Sequence, residues 1–126
     1  MTVDKKIIAN KAWFSTVSII LILAGIVFAF LGLGILPVHR DVLLQWESAI
    51  YGALMMGWGT TLFFAGRLAF QRNDPDLMKT LLYGLTVWLV VEAFFSAYIG
   101  VWFNVGVDVA VLALFSIPLI TSIRKR

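Results

Sequence analysis

The chain has 126 residues, of which 61% are hydrophobic and only 13% are charged, with a net charge of +3. Soluble domains usually contain about 45–50% apolar and about 25% charged residues, so this composition excludes an ordinary water-soluble domain and favours lipid as the solvent. The chain has no cysteine and a single histidine, His39, which excludes disulfides, thiolate metal sites, cysteine nucleophiles and a multi-histidine metal or haem site within one protomer.

Four apolar stretches are each long enough to cross a bilayer, which requires about 20 residues in helical conformation. They cover about residues 12–36, 44–70, 75–100 and 104–123. The first stretch is longer than the roughly 7–15-residue apolar core of a signal peptide, so we interpret it as a retained helix. The sequence therefore predicts an all-α, integral membrane four-helix bundle with up-down topology, forming a single domain over residues 1–126.

Helix start and stop signals mark the ends of the third stretch. Asp74 is a candidate N-cap, Pro75 takes the first helical position, and Asp76 falls in the first turn. Gly100 and Asn104 bracket a very short turn between the third and fourth stretches. We therefore expect these two helices to be antiparallel neighbours.

The basic residues predict the orientation of the chain. Nine of the ten fall at one end of the predicted helices, and only Arg40 falls at the other. The nine are Lys5, Lys6, Lys11, Arg67, Arg72, Lys79, Arg124, Lys125 and Arg126. The positive-inside rule then places both termini in the cytoplasm. This distribution accounts for the basic balance of the chain without a nucleic-acid partner, and we predict none.

Small residues indicate how the helices pack, because association in lipid depends on close contact at such positions. Gly52, Gly59 and Gly66 recur at seven-residue spacing in the second stretch. This spacing keeps them on one face and favours a left-handed bundle. The alternative is a hinge or a ligand groove along the same face. Pro118 predicts a kink in the fourth helix, because it removes a backbone donor.

Glu92 is the residue that most clearly indicates a site. It lies within residues 77–103, where Lys79, near the start, is the only other charged residue. A carboxylate deep in an apolar run is costly in a bilayer, and such groups usually face a bundle interior, a cavity or a partner. Asp108 in the fourth stretch is a second candidate of the same kind.

The helical rise of about 1.5 Å per residue places both carboxylates near the outer turn. Glu92 precedes Gly100 by eight residues and lies about 12 Å below the turn, whereas Asp108 lies about 6 Å below Asn104. The two could therefore meet if both point inward. Arg67 lies about 20 Å from Glu92 in depth, so we do not expect the two to pair. We expect Arg67 to reach the cytoplasmic headgroups instead.

The predicted ligand site combines the two carboxylates with nearby polar and aromatic side chains. Its members are Glu92, Asp108, Trp88, Ser96, Tyr98, Glu47 and Tyr51. An unpaired carboxylate in apolar surroundings favours its neutral form. We therefore expect Glu92 to be protonated near neutral pH unless a cation or Arg40 reaches it.

Each acidic residue also has a structural interpretation. Glu92 could be a protonated hydrogen-bond link between helices. Asp108 could complement the dipole of the fourth helix, in its first turn after an Asn104 cap. Asp41 and Glu47, near the start of the second helix, admit the same explanation.

These features lead to three functional hypotheses. The first is a binding module for a small amphipathic or cationic ligand, held in a pocket between bundle helices. The second is an accessory or assembly subunit, in which the glycine faces meet other membrane chains, as partners or as a homo-oligomer. The third is proton or cation transport through an oligomer, which the small number of spans disfavours.

Enzyme motifs are absent: the sequence contains no Gly-rich phosphate loop, HExxH, GxSxG or CxxC. Hydrolase, kinase and haem-protein functions are therefore disfavoured, and we predict no cofactor and no metal. A two-carboxylate enzyme acting on a lipid-phase substrate, with Glu92 and Asp108 as acid and base, stays open. The expected location is the cytoplasmic membrane of a bacterium or archaeon.

Four short helices with both ends cytoplasmic resemble the DoxX-like group of small bacterial membrane proteins. Acidic residues facing the bundle interior, here Glu47, Glu92 and Asp108, are more distantly similar to those of the sterol-isomerase and sigma-2-receptor-like four-helix proteins. That second resemblance implies carboxylates that hold amines or sterol-like cations.

Overall fold

The computed structural model describes residues 31–124, together with Leu23, Ile26 and Val27. All regular secondary structure in these residues is helical. A short 3₁₀ helix covers Leu33–Ile35, and three long helices follow: α1 Arg40–Arg72, α2 Pro75–Ile99 and α3 Trp102–Arg124. Most of the predicted first span, residues 12–36, lies outside the described residues.

The three long helices confirm the membrane character of the chain, because each is long and apolar enough to cross a bilayer. At about 1.5 Å per residue, α2 and α3 measure about 35 Å and α1 about 50 Å, against a hydrocarbon core of about 30 Å. Helix α1 therefore extends beyond the core. It begins at Arg40 rather than near residue 44, and Asp41 in its first turn complements the helix dipole.

The chain divides into two compact units, Met1–Ala53 and Leu54–Arg126. The second unit contains the buried core, which all three long helices supply. Its buried apolar residues are Leu62, Ala69, Met78, Leu81, Leu85, Leu89 and Leu119. Four of the seven lie on one face of α2, so α2 is the central helix of this unit.

The connection from α1 to α2 follows its predicted signals closely. Asp74 has an extended backbone, and its Oδ1 accepts the N–H groups of Asp76 and Leu77, each at 3.0 Å. Pro75 opens the helix, where a missing N–H costs nothing. Asn73 takes a left-handed φ of 50°, a conformation that asparagine tolerates better than most residues. The predicted N-cap is confirmed.

The connection from α2 to α3 is a two-residue link made of Gly100 and Val101. Gly100 has a φ of 88°, in the left-handed region that glycine adopts without strain. Its N–H donates to the Ala97 carbonyl at 3.1 Å, and the Val101 N–H donates to the Ser96 carbonyl at 2.7 Å. This pair of bonds is a Schellman motif, which satisfies two carbonyls at the helix end. A link this short holds α2 and α3 side by side.

The glycine stripe of α1 makes no close contact with the described residues. A Cβ placed at Gly52, Gly59 or Gly66 would meet no described atom within 4 Å, and most of the first predicted span, which carries the matching glycines, lies outside the described residues. Helix α1 instead approaches α2 at Gly84, where an added Cβ would lie 3.5 Å from the Trp58 ring. The bulky indole, rather than a glycine of α1, sets that spacing.

We expect Asp74→Ala to destabilise the protein by about 1 kcal/mol, because two N–H groups at the start of α2 lose their acceptor. Thermal unfolding in neutral detergent micelles measures the change. Asp74→Asn, which keeps an acceptor oxygen, should retain most of the stability. Equal losses in both variants would show that the cap hydrogen bonds are not the cause.

Gly100→Ala should also destabilise the protein, by about 1–2 kcal/mol, because an L-residue is strained at a φ of 88°. No described atom lies within 4 Å of the added Cβ, so strain rather than collision is the cause. Gly106→Ala, in the regular part of α3 and equally open, is the matched control. That control should be neutral or stabilising in the same unfolding measurement, and a loss as large as that of Gly100→Ala would contradict the explanation.

Candidate functional site

A cluster of polar side chains joins α2 to α3 near the Gly100 turn. It consists of Glu92 and Ser96 on α2 and of Asn104 and Asp108 on α3, and we call it the Asn104 cluster. The Asn104 Nδ2 lies 2.9 Å from Ser96 Oγ, 3.2 Å from Asp108 Oδ2 and 3.3 Å from Glu92 Oε1. One amide group therefore connects two carboxyl groups and a hydroxyl.

The local sequence accounts for this convergence. Glu92 and Ser96 are four residues apart, as are Asn104 and Asp108, so each pair occupies one face of its helix. The Gly100 link reverses the chain between them and aligns the two pairs side by side. The cluster is thus the meeting of two i, i+4 pairs across a tight helical hairpin.

Burial distinguishes the members of the Asn104 cluster. Asp108 is 3% exposed, and it is the only buried charged or polar residue among the described ones. Glu92, Ser96 and Asn104 are half-buried. Asp108 is therefore the inner end of the cluster, and the other three form its accessible side.

The two carboxyl groups approach the same amide nitrogen, since Asn104 Nδ2 lies within 3.3 Å of an oxygen of each. The Asn104 amide carries two hydrogens but faces three acceptors, so it cannot satisfy all of them fully at once. If both carboxyls are ionised, they repel each other in a medium of low dielectric. A positive charge or a further proton beside the two carboxyls would relieve that repulsion.

The structure brings together three of the predicted site residues, Glu92, Asp108 and Ser96. Trp88 lies one turn before Glu92, and its ring meets Trp58 edge-on, with centroids 6.4 Å apart. The Trp58 Nε1 is buried and has no hydrogen-bond partner among the described residues. This aromatic contact joins α1 to α2 one helical turn from Glu92.

Three predicted site residues remain: Tyr98, Glu47 and Tyr51. Tyr98 is 81% exposed, and no hydrogen bond of the described structure joins it to the cluster. Glu47 and Tyr51 lie in the other compact unit, Met1–Ala53, where Glu47 is half-buried and Tyr51 is exposed.

Asn104 is the site residue that sequence reasoning missed, because it was interpreted as a helix cap. Helix α3 begins at Trp102, and Val101 accepts the Asn104 N–H at 3.1 Å. The Asn104 side chain is therefore free to cross to α2. The i, i+4 spacing of Asn104 and Asp108, mirrored by Glu92 and Ser96, was the signal that could have identified it.

Two dipole interpretations are corrected by the observed helix starts. Asp108 is the seventh residue of α3, which has no acidic residue in its first turn, so Asp108 does not complement the dipole there. Glu47 is the eighth residue of α1 and also lies beyond the first turn, whereas Asp41 does fall in the first turn. The effect is confined to the first turn of a helix.

The Arg67 side chain takes part in a different contact. Its guanidinium lies over the Phe63 ring, with 5.6 Å between Cζ and the ring centroid. Phe63 is four residues earlier on the same helix, so this contact keeps the charge along the α1 surface. The described residues also contain no group of three or more His, Cys, Asp or Glu side chains suited to a metal ion.

Comparisons with known proteins assign no relative to this chain. No family model matches it, and neither a curated protein nor a solved structure does.

We expect Asn104→Ala to destabilise the protein by about 0.6–1.7 kcal/mol, which are the average and the largest values measured for hydrogen bonds between membrane helices. The substitution removes the amide that donates to the buried Asp108 carboxyl. Unfolding in mixed micelles measures the effect. Thr86→Val is the control, because the Thr86 hydroxyl bonds only within α2, to the Leu82 carbonyl. A loss in the control as large as that in Asn104→Ala would show that the cluster does not hold the helices together.

Proposed function

We propose that the protein is a four-helix membrane bundle with both termini in the cytoplasm, and that the Asn104 cluster binds a small amphipathic cation. The observation that carries this proposal is the convergence of Glu92 and Asp108, from two helices, on the single amide of Asn104. Carboxyl groups held together in this way gain from a shared positive charge.

The distribution of charge supports the orientation. Arg72 ends α1, Lys79 lies in the first turns of α2, and Arg124 ends α3. Because α2 and α3 form a hairpin, Lys79 and Arg124 both lie at the end opposite the Gly100 turn. The positive-inside rule then puts that end in the cytoplasm and the Asn104 cluster in the outer half of the membrane.

The chemistry of the cluster favours an amine over a metal ion. An ammonium group donates up to three hydrogen bonds, and the Glu92 carboxyl and the Ser96 hydroxyl offer acceptors on the half-buried side. Trp88, one turn away, offers an aromatic face, which attracts organic cations within about 6 Å. An apolar tail could then extend into the surrounding lipid. The ligand class that fits is a primary or substituted amine with a hydrophobic body.

A long-chain primary amine should raise the unfolding temperature of the protein in neutral detergent by several degrees, because a ligand that binds only the folded state stabilises it. The matched alcohol of the same chain length should have a much smaller effect. Glu92→Gln should abolish most of the difference between amine and alcohol, and Asp108→Asn should reduce it.

The control for this measurement is Asp76→Asn, which removes a carboxylate whose side chain is 91% exposed near the other end of α2. It should respond to the amine as the unchanged protein does. If Glu92→Gln keeps the full amine response, the cluster is a structural link between α2 and α3 and the proposal is wrong.

A second candidate function, as a subunit that associates with other membrane helices, is favoured by a different observation. Gly59 and Gly66 of α1 meet no described atom in the space of a side chain, and Phe63 and Phe64 between them are exposed. Chemical cross-linking after purification in mild detergent tests it. Partner membrane chains, or a second copy, should be captured through α1, and a protein that stays monomeric argues against it.

A further inference from the structure

A second feature of the Leu54–Arg126 unit is an apolar groove near the basic ends of the helices, with a volume of about 370 Å³. All three long helices contribute to it. Its apolar walls include Leu62, Gly66 and Phe70 of α1, Leu81 and Leu85 of α2, and Phe115 of α3. The volume lies at the lower end of the roughly 300–1,000 Å³ typical of small-molecule sites.

Gly66 keeps this groove open. A side chain at this position would meet no described atom within 4 Å, so its absence leaves space rather than close helix contact. Leu85, which also lines the groove, is fully buried and forms part of the core. The groove is therefore a gap beside a packed core, bounded on one side by a missing side chain.

The polar side chains of the groove are Arg67 and Gln71, which lie one turn apart on α1. Arg67 is exposed and forms no ion pair with any carboxylate of the described residues. A guanidinium presents five N–H donors in a planar fork that matches phosphate and carboxylate oxygens. The groove thus combines an apolar channel with one cation at its rim, whose guanidinium lies over the Phe63 ring and makes no ion pair with a described carboxylate.

The position of Arg67 along α1 matches the level of lipid headgroups. It precedes Arg72, the last residue of α1, by five residues, or about 8 Å along the axis. The interfacial layer on each side of the hydrocarbon core is about 5–8 Å thick. Arg72, Lys79 and Arg124 lie near the same end, so this end of the unit attracts anionic headgroups.

We propose that this groove is a specific site for an anionic phospholipid of the surrounding leaflet. The lipid phosphate accepts hydrogen bonds from the Arg67 guanidinium and from the Gln71 amide, and one acyl chain lies between Gly66, Leu85 and Phe115. The site is separate from the Asn104 cluster, and its occupancy does not depend on the ligand proposed there.

Native mass spectrometry of the purified protein tests the charge recognition. Phosphatidylglycerol and phosphatidylcholine with identical acyl chains are titrated separately, and the protein should retain phosphatidylglycerol preferentially. Arg67→Gln should weaken that binding about tenfold, since it removes a charge-assisted hydrogen bond. Arg72→Gln makes the same charge change outside the groove and should weaken phosphatidylglycerol binding by no more than about fivefold. Equal losses in the two variants, or no preference between the lipids, overturn the proposal.

A second measurement tests the acyl chain without depending on charge. Phosphatidylglycerol carrying a photoreactive group on its acyl chain should label the walls of the groove in nanodiscs, and Gly66→Leu should strongly reduce that labelling. Gly66→Ala is the milder variant if the leucine prevents folding, and it should reduce labelling in part. Unchanged labelling in a folded Gly66 variant overturns the site.

Other occupants would give different results. A free fatty acid that labels the groove in place of the phospholipid would contradict the headgroup assignment. Protein could also cover the groove. In that case the Arg67→Cys variant would cross-link to residues 1–30 of the same chain or to a second copy, and lipid labelling would fall. Arg67→Gln should keep the rise in unfolding temperature that the long-chain amine causes. Failure of the lipid site can then be told apart from failure of the ligand site at Glu92.

Discussion

The two-residue link at Gly100 is the constraint on which the rest of the described structure depends. Its left-handed backbone lets the chain reverse within one helical turn, so α2 and α3 lie against each other in a single register. That register brings Glu92 and Ser96 opposite Asn104 and Asp108. A longer or looser connection would let the helices slide, and a shift of one residue would rotate the polar pairs away from each other and leave an acid facing lipid.

Helix α2 makes polar contacts near one end and apolar core contacts near the other. Towards the Gly100 turn it presents Glu92 and Ser96 to α3, where their polar atoms find partners inside protein. Towards its start it contributes Met78, Leu81 and Leu85 to an apolar core. Association between helices in lipid gains little from apolar burial alone, so the polar contact at one end specifies the pairing that the packing at the other end stabilises.

The sequence predicted the helix ends well, since they depend on local chemistry. Asp74, Pro75 and Gly100 act through backbone groups only a few residues away, and those interactions exist whatever the rest of the chain does. Asn104 shows the limit of that reasoning. An asparagine beside a turn satisfies the pattern for a cap, but helix α3 starts two residues earlier and commits the side chain to α2. The role of Asn104 depends on contacts with α2, which local sequence patterns do not predict.

By itself, the sequence determined that the chain forms long apolar helices, where α2 begins and ends, and that Glu92 and Asp108 are too costly to face lipid. These properties follow from hydropathy, chain length and hydrogen bonds within a turn. Only the tertiary structure decided that Asn104 joins the two acids, that Gly66 of α1 borders a groove, and that α1 approaches α2 where Trp58 meets Gly84. Each of these depends on the rotation of one helix relative to another, because residue spacing defines a face but not what that face meets.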